Sequence, residues 1–218
     1  RFPYRINQLN LTGKIHYRAG EFDITSITGY IDFSRFYHID VDATPLEQFD
    51  FDEDEDVRQF TQELRVGRES ELVDIIAGGF YSWDRVLGDN TNHNDDWPLL
   101  FIGAASGSGK TAYNQVTRSG AAYANATWHL GPDVDLVTGL RYTSEKRHYV
   151  GGTTFDTPSP LVGVNNTFMD GRIRDKNLTG KIGLNVRPSE NVLIFASASR
   201  GRKSGGFTLT GTSRVTIA

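Results

Sequence analysis

Residues 121 to 142 read Ala-Ala-Tyr-Ala-Asn-Ala-Thr-Trp-His-Leu-Gly-Pro-Asp-Val-Asp-Leu-Val-Thr-Gly-Leu-Arg-Tyr. Gly131-Pro132-Asp133 is a reversal signal, with residue types that supply tight-turn backbone geometry. After it, Leu136, Leu140 and Tyr142 alternate with Asp135, Gly139 and Arg141, so one face of an extended strand is apolar and the other polar. The stretch is therefore a β-hairpin whose two faces meet different surroundings.

Outward from this hairpin the same unit repeats between residues 9 and 207. Phe60, Gln62, Leu64 and Val66 alternate with Thr61, Glu63, Arg65 and Gly67, and Leu178, Ile182, Leu184 and Val186 alternate with Thr179, Lys181, Gly183 and Asn185. Further strands are predicted over 10–18, from Phe22 to about Asp40, and over 73–86, 116–130 and 192 to about 203, giving eight in pairs. Tight turns fall at 18–21, 67–70, 131–133 and 187–191, while the connections near 42–56, 87–115 and 147–176 are long, charged and rich in Gly, Asn and Thr. In an antiparallel meander successive connections lie at opposite ends, so every short turn collects at one end and every long connection at the other.

That asymmetry is the mark of outer-membrane β-barrels. The expected fold class is all-β, an antiparallel up-and-down transmembrane β-barrel segment of about eight strands. Tyr81 and Trp83, Tyr142 and Tyr149, and Phe36 and Tyr37 are expected in an aromatic girdle toward the long connections, with Tyr17, Phe22 and Trp128 in another toward the short turns. A soluble β-sandwich that binds carbohydrate or another ligand shares the alternation and is the alternative. It does not oblige its loops to sort by length.

Mean hydropathy is −0.41, and no apolar run approaches the roughly 20 residues of a transmembrane helix. A barrel strand needs only about 9–11 residues with every second one apolar, so this leaves the barrel reading intact. Net charge is −4 with Lys and Arg scattered, which disfavours nucleic acid as a partner. Absence of cysteine removes disulfides, thiolate metal sites and a Cys nucleophile together.

Three stretches carry a family resemblance: Phe60-Thr61-Gln62-Glu63-Leu64-Arg65-Val66; Gly139-Leu140-Arg141-Tyr142-Thr143 followed by Glu145-Lys146; and Phe195-Ala196-Ser197-Ala198-Ser199-Arg200-Gly201-Arg202-Lys203-Ser204-Gly205-Gly206-Phe207. They resemble the barrel of TonB-dependent outer-membrane receptors, over most of the chain. The resemblance implies a portion of a larger barrel of the 22-strand type, with a plugged lumen, in the outer membrane of a Gram-negative bacterium. It further implies TonB-energised uptake of a scarce ligand such as an iron-siderophore complex, vitamin B12 or an oligosaccharide. The implied partners are the lipid bilayer, the TonB complex and the plug domain of the intact receptor. Residues 1–218 are read as a partial barrel domain with no plug-like segment, no cofactor, no metal and no catalytic residues, and ligand-binding residues are not identified. Glu63, Arg65, Arg141 and Lys181 share the polar face, where charge meets water or the plug.

Other signals are weaker. Ala104-Ala105-Ser106-Gly107-Ser108-Gly109-Lys110-Thr111 resembles the phosphate-binding loop (P-loop) of a nucleotide-binding protein, a remote alternative, but no amphipathic helix follows it, so a flexible Gly/Ser tip of an outer loop is the preferred reading. The acidic run Asp50-Phe51-Asp52-Glu53-Asp54-Glu55-Asp56 lacks Ca²⁺-loop spacing and reads as solvated loop. His93-Asn94-Asp95-Asp96 likewise reads as solvated loop rather than as ligands. The histidines at 16, 38, 93, 129 and 148 show no zinc-site spacing. Asn-x-Thr triplets begin at Asn10, Asn125, Asn165 and Asn177, and in a bacterial barrel they have no glycosylation meaning.

Overall fold

A computed structural model describes residues 3–40, 50–94, 107–155, 166–207 and 214–215. Eight long strands run in chain order, β1 (Tyr4–Ala19), β2 (Phe22–Asp40), β3 (Asp50–Arg68), β4 (Val73–Asn94), β5 (Gly107–Gly131), β6 (Val134–Phe155), β7 (Thr167–Ser189) and β8 (Val192–Arg200), and a two-residue pair, Gly206–Phe207 with Arg214–Val215, stands apart from them. They form one antiparallel sheet in the order β1-β2-β3-β4-β5-β6-β7-β8, so every strand pairs with its sequence neighbours. Among the described residues the sheet is open, with β1 and β8 as its edges, and no second sheet of comparable size faces it. The sandwich alternative fails on this point, since its core requires two stacked sheets.

Short turns join the strands at one end. Gly20 and Glu21 form a two-residue link between the paired residues Ala19 and Phe22, and Gly20 adopts φ +63°, a left-handed conformation that glycine takes without Cβ strain. At the next turn the Ser70 side chain accepts from Val73 N (3.1 Å) while Ser70 N donates to Asp74 (3.1 Å). All four predicted reversals are found at this end.

The strands extend well beyond the predicted bounds at the other end. β5 has 25 residues and β4 and β6 have 22 each, against about 9–11 needed to cross a bilayer. Residues 50–56, 87–94, 107–115, 147–155 and 167–176, expected in loops, are paired strand. The acidic run explains why. Extended geometry sends Asp50, Asp52, Asp54 and Asp56 to one face and Phe51, Glu53 and Glu55 to the other, and β2 supplies partners for both. Arg35 meets Glu53 at 2.5 Å and Glu55 at 2.9 Å, Tyr37 donates to Glu53, and His38 meets Asp52 at 2.7 Å. Carboxylates divided between two faces do not converge on one cation.

At the short-turn end a polar tie links four strands. His129 lies between Asp135 (Nδ1 to Oδ1, 2.8 Å) and Asp74 (Nε2 to Oδ2, 3.1 Å), and Arg187 donates to the second oxygen of Asp135 at 2.6 Å. His129, Asp135 and Arg187 lie beyond the girdle residue Trp128 in register, on the short-turn side of the spanning segments. The Asp135 and Asp74 carboxylates raise the His129 pKa above its usual value, while Arg187 and then His129 hold Asp135 below the usual carboxylate range. The His129 contribution is therefore complete below about pH 6.5 and is lost as pH rises through its elevated folded-state value. The Asp135 contribution is present above about pH 4 and lost on further acidification. We expect the protein to resist urea better at about pH 5.5 than at pH 8.5, and His129→Gln to flatten that difference. An unchanged pH slope in the variant would remove His129 from the account.

Candidate functional site

Antiparallel register decides which side chains share a face, because directly opposed residues point the same way. Leu64, Leu140 and Leu184 are on one face and are 51%, 56% and 41% exposed. With them lie Ile182, Leu178 and the girdle residues Tyr142 and Trp128, also exposed. Register aligns Tyr30, Phe60 and Trp83 in one row across β2, β3 and β4 on this face. An apolar surface of this extent needs a cover other than water.

Two of the predicted girdle residues belong to the other face. Tyr149 is seven residues from Tyr142 and Tyr37 is one from Phe36, odd separations that reverse side-chain direction along a strand. Tyr149 is 1% exposed. Tyr37 instead donates to Glu53 and stacks under the Arg35 guanidinium, 5.0 Å from its ring centre.

The opposite face is polar and charge-paired. Glu63, Arg65, Arg141 and Lys181, predicted to share it, line one groove of about 840 Å³ together with Tyr123 and Asn125. Arg65 donates to Glu63 Oε2 at 2.7 Å, and the Tyr123 hydroxyl donates to Glu63 Oε1 at 2.5 Å. Arg141 places its guanidinium 5.6 Å from the Phe80 ring and 5.7 Å from that of Tyr123. Tyr123 reaches Glu63 only because it crosses Gly78, where a Cβ would lie 2.7 Å from the hydroxyl and 2.6 Å from the Leu64 carbonyl. The groove thus presents cations on a scaffold already rich in hydrogen bonds.

The stretch 195–207, expected as strand to about Lys203, leaves the sheet at Arg200. Its last residues cross the polar face as a strap. Arg202 meets Asp175 at 3.4 Å, Arg147 donates to the Gly205 carbonyl at 3.1 Å, and Phe207 stacks on Tyr149 at 5.3 Å, with Tyr113 6.0 Å beyond. Phe207 lies over Gly171, where a Cβ would be 2.5 Å from the ring. Gly201, Gly205 and Gly206 were the available signal, since such a density of glycine disfavours continued strand.

Of the phosphate-loop motif, Ala104, Ala105 and Ser106 lie outside the described residues. Its remainder is strand β5, with Lys110 paired to Asp89 at 2.7 Å and the Thr111 hydroxyl 2.8 Å from that of Thr153. Neither a cradling loop nor a helix N-terminus is formed there, so the nucleotide reading falls, as does the flexible loop tip. His93, placed in β4 rather than in a loop, meets Asp52 at 3.0 Å; Asp95, Asp96, Asn165 and the loop expected around Gly163 lie outside the described residues.

A meander with lipid-facing leucines on one side and a charged groove on the other is a wall segment of a transmembrane β-barrel. The chain belongs to the TonB-dependent receptors: the family described as TonB dependent receptor-like, beta-barrel, matches residues 2–216. This is a family of outer-membrane transporters and receptors of Gram-negative bacteria, not an enzyme class.

Solved structures share the fold. The ferric yersiniabactin uptake receptor FyuA from Yersinia pestis is similar with TM-score 0.76 at 16% identity, covering 95% of this chain and 30% of that one. The siderophore receptor PiuA from Acinetobacter baumannii gives TM-score 0.61 at 15% identity over 88% of this chain and 32% of that one. The copper transporter OprC gives 0.63 at 10% identity over 90% and 30%. The chain therefore spans about a third of the length of these solved receptors. No curated protein matches it.

Proposed function

We propose that this chain forms an arc of a larger receptor barrel that takes up a scarce ligand across the outer membrane, energised through TonB. The separation of the two faces carries the reading. Leucines half exposed on one face suit acyl chains, while Glu63, Arg65, Arg141 and Lys181 on the other suit a water-filled or plugged lumen. Edge strand β1 is exposed on both faces over nearly its whole length, and β8 over all of it, which suits further wall strands beside them. In this orientation Gly20, Glu69, Pro132 and Pro188 are periplasmic, and the long strand ends around Asp54, His93 and Gly109 reach outside.

An iron-siderophore complex is the ligand class we favour, because FyuA and PiuA bear that description and their fold is shared. The plug domain of the intact receptor would face Arg65, Arg141 and Lys181. Detergent partition with heat-modifiable gel migration is the test of the barrel, and a monodisperse protein in plain buffer would sink it. Growth on chelated iron that requires both the receptor and TonB is the test of uptake. Growth unaffected by deleting the receptor gene, with other chelate receptors removed, would count against the ligand class.

A further inference from the structure

On the lipid-facing side, Arg118 of β5, Lys146 of β6 and Arg174 of β7 stand directly opposite one another in register. Three like charges about 4.8 Å apart per strand repel, and such pairs destabilise a sheet unless something compensates them. All three are exposed, and among the described residues none has an ion-pair or hydrogen-bond partner. The neighbouring carboxylates Glu145 and Asp175 point to the other face, where they meet Arg147 at 3.1 Å and Arg202 at 3.4 Å. Asp170, on the same face, is already 2.7 Å from His148.

Depth identifies what compensates them. The register row of these cations continues through Trp83, Phe60 and Tyr30. Tyr30 lies 10 residues from Gly20 in its short turn, whereas Arg118 lies 14 from Pro132 and Arg174 15 from Ser189, so with the tilt of about 35–45° usual in such barrels the row climbs from girdle depth at its aromatic end to a higher level at its cationic end. Lys146 follows the girdle residue Tyr142 by four positions, about 13 Å along the strand, which is headgroup depth. Lys176, two positions beyond Leu178, adds a cation just below the row.

We propose that Arg118, Lys146 and Arg174 form a binding site for the phosphate groups of anionic lipid headgroups in the outer leaflet. Two guanidinium forks flanking an ammonium suit phosphate oxygens, which accept paired hydrogen bonds from arginine. The site rests on the barrel reading and its orientation. Its occupant relieves the repulsion within the row, so lipid binding also stabilises this part of the wall.

The test uses the whole receptor in detergent micelles, with a fluorescent bis-phosphorylated glucosamine-disaccharide lipid as probe. The triple variant Arg118→Gln, Lys146→Gln, Arg174→Gln is expected to bind it about a hundredfold more weakly, whereas Arg118→Lys with Arg174→Lys stays within about fivefold of the parent. Equal binding by the parent and the triple variant overturns the site. So does equal binding of the dephosphorylated lipid, and inorganic phosphate competing at the same concentration as the lipid assigns the row to free phosphate instead. Heat-modifiable migration is read on each protein. If both proteins show it and binding is equal, only the site falls; if the parent lacks it, the barrel reading falls as well.

Discussion

Arginine in place of Leu140 is expected to lower the receptor's unfolding free energy in lipid vesicles by about 2–4 kcal/mol, the cost of a cation near the bilayer midplane. Leu140 is 56% exposed, and its register partners on β5 and β7 are Ala124 and Gly180, so little protein surrounds its side chain. In a barrel wall its side chain would face acyl chains. The same arginine at Ser199, on the wall of the polar groove, is expected to cost under about 1 kcal/mol because water reaches it there. Urea titration followed by the heat-modifiable band measures both. Equal losses at the two positions would mean that the faces had been assigned wrongly.

Phe207→Ala is the second change with a large expected effect. Its ring stacks on Tyr149 and covers Gly171, and Arg147 and Asp175 hold the same strap by single polar contacts. Removing the ring is expected to cost the docked strap about 3 kcal/mol through lost burial and stacking. That opens it roughly a hundredfold more often. Arg200, Arg202 and Lys203 lie at the start of the strap, so trypsin reports the opening directly as faster cleavage there. Arg147→Gln removes one hydrogen bond and is expected to accelerate cleavage only about fivefold to tenfold. A cleavage rate unchanged by Phe207→Ala would show that the stack does not hold the strap.

Local rules made the sheet and its turns legible. Period-2 alternation in 60–67, 136–142 and 178–186 predicted two-faced strands, and the turn residues from Gly20 to Pro188 predicted which end is short. The polar-face set Glu63, Arg65, Arg141 and Lys181 followed from the same alternation, and all four line one groove. The strand ends were illegible because no local preference reveals them: Asp50 to Asp56 looks like solvated loop until Arg35, His38 and His93 are aligned beside it. Tyr149 and Tyr37 lie on the face opposite Tyr142 and Phe36, because parity along a strand and not proximity in sequence sets side-chain direction.

What the amino-acid sequence determined alone was strand, turn and face, because each depends on the residue itself and its neighbours within a few positions. Tertiary structure decided what depends on alignment between distant segments. It extended the charged segments into strand, folded 201–207 back onto Tyr149, and set Arg118, Lys146 and Arg174 side by side. Their positions along the chain do not reveal that opposition, since a register shift of one residue would send one of them to the other face.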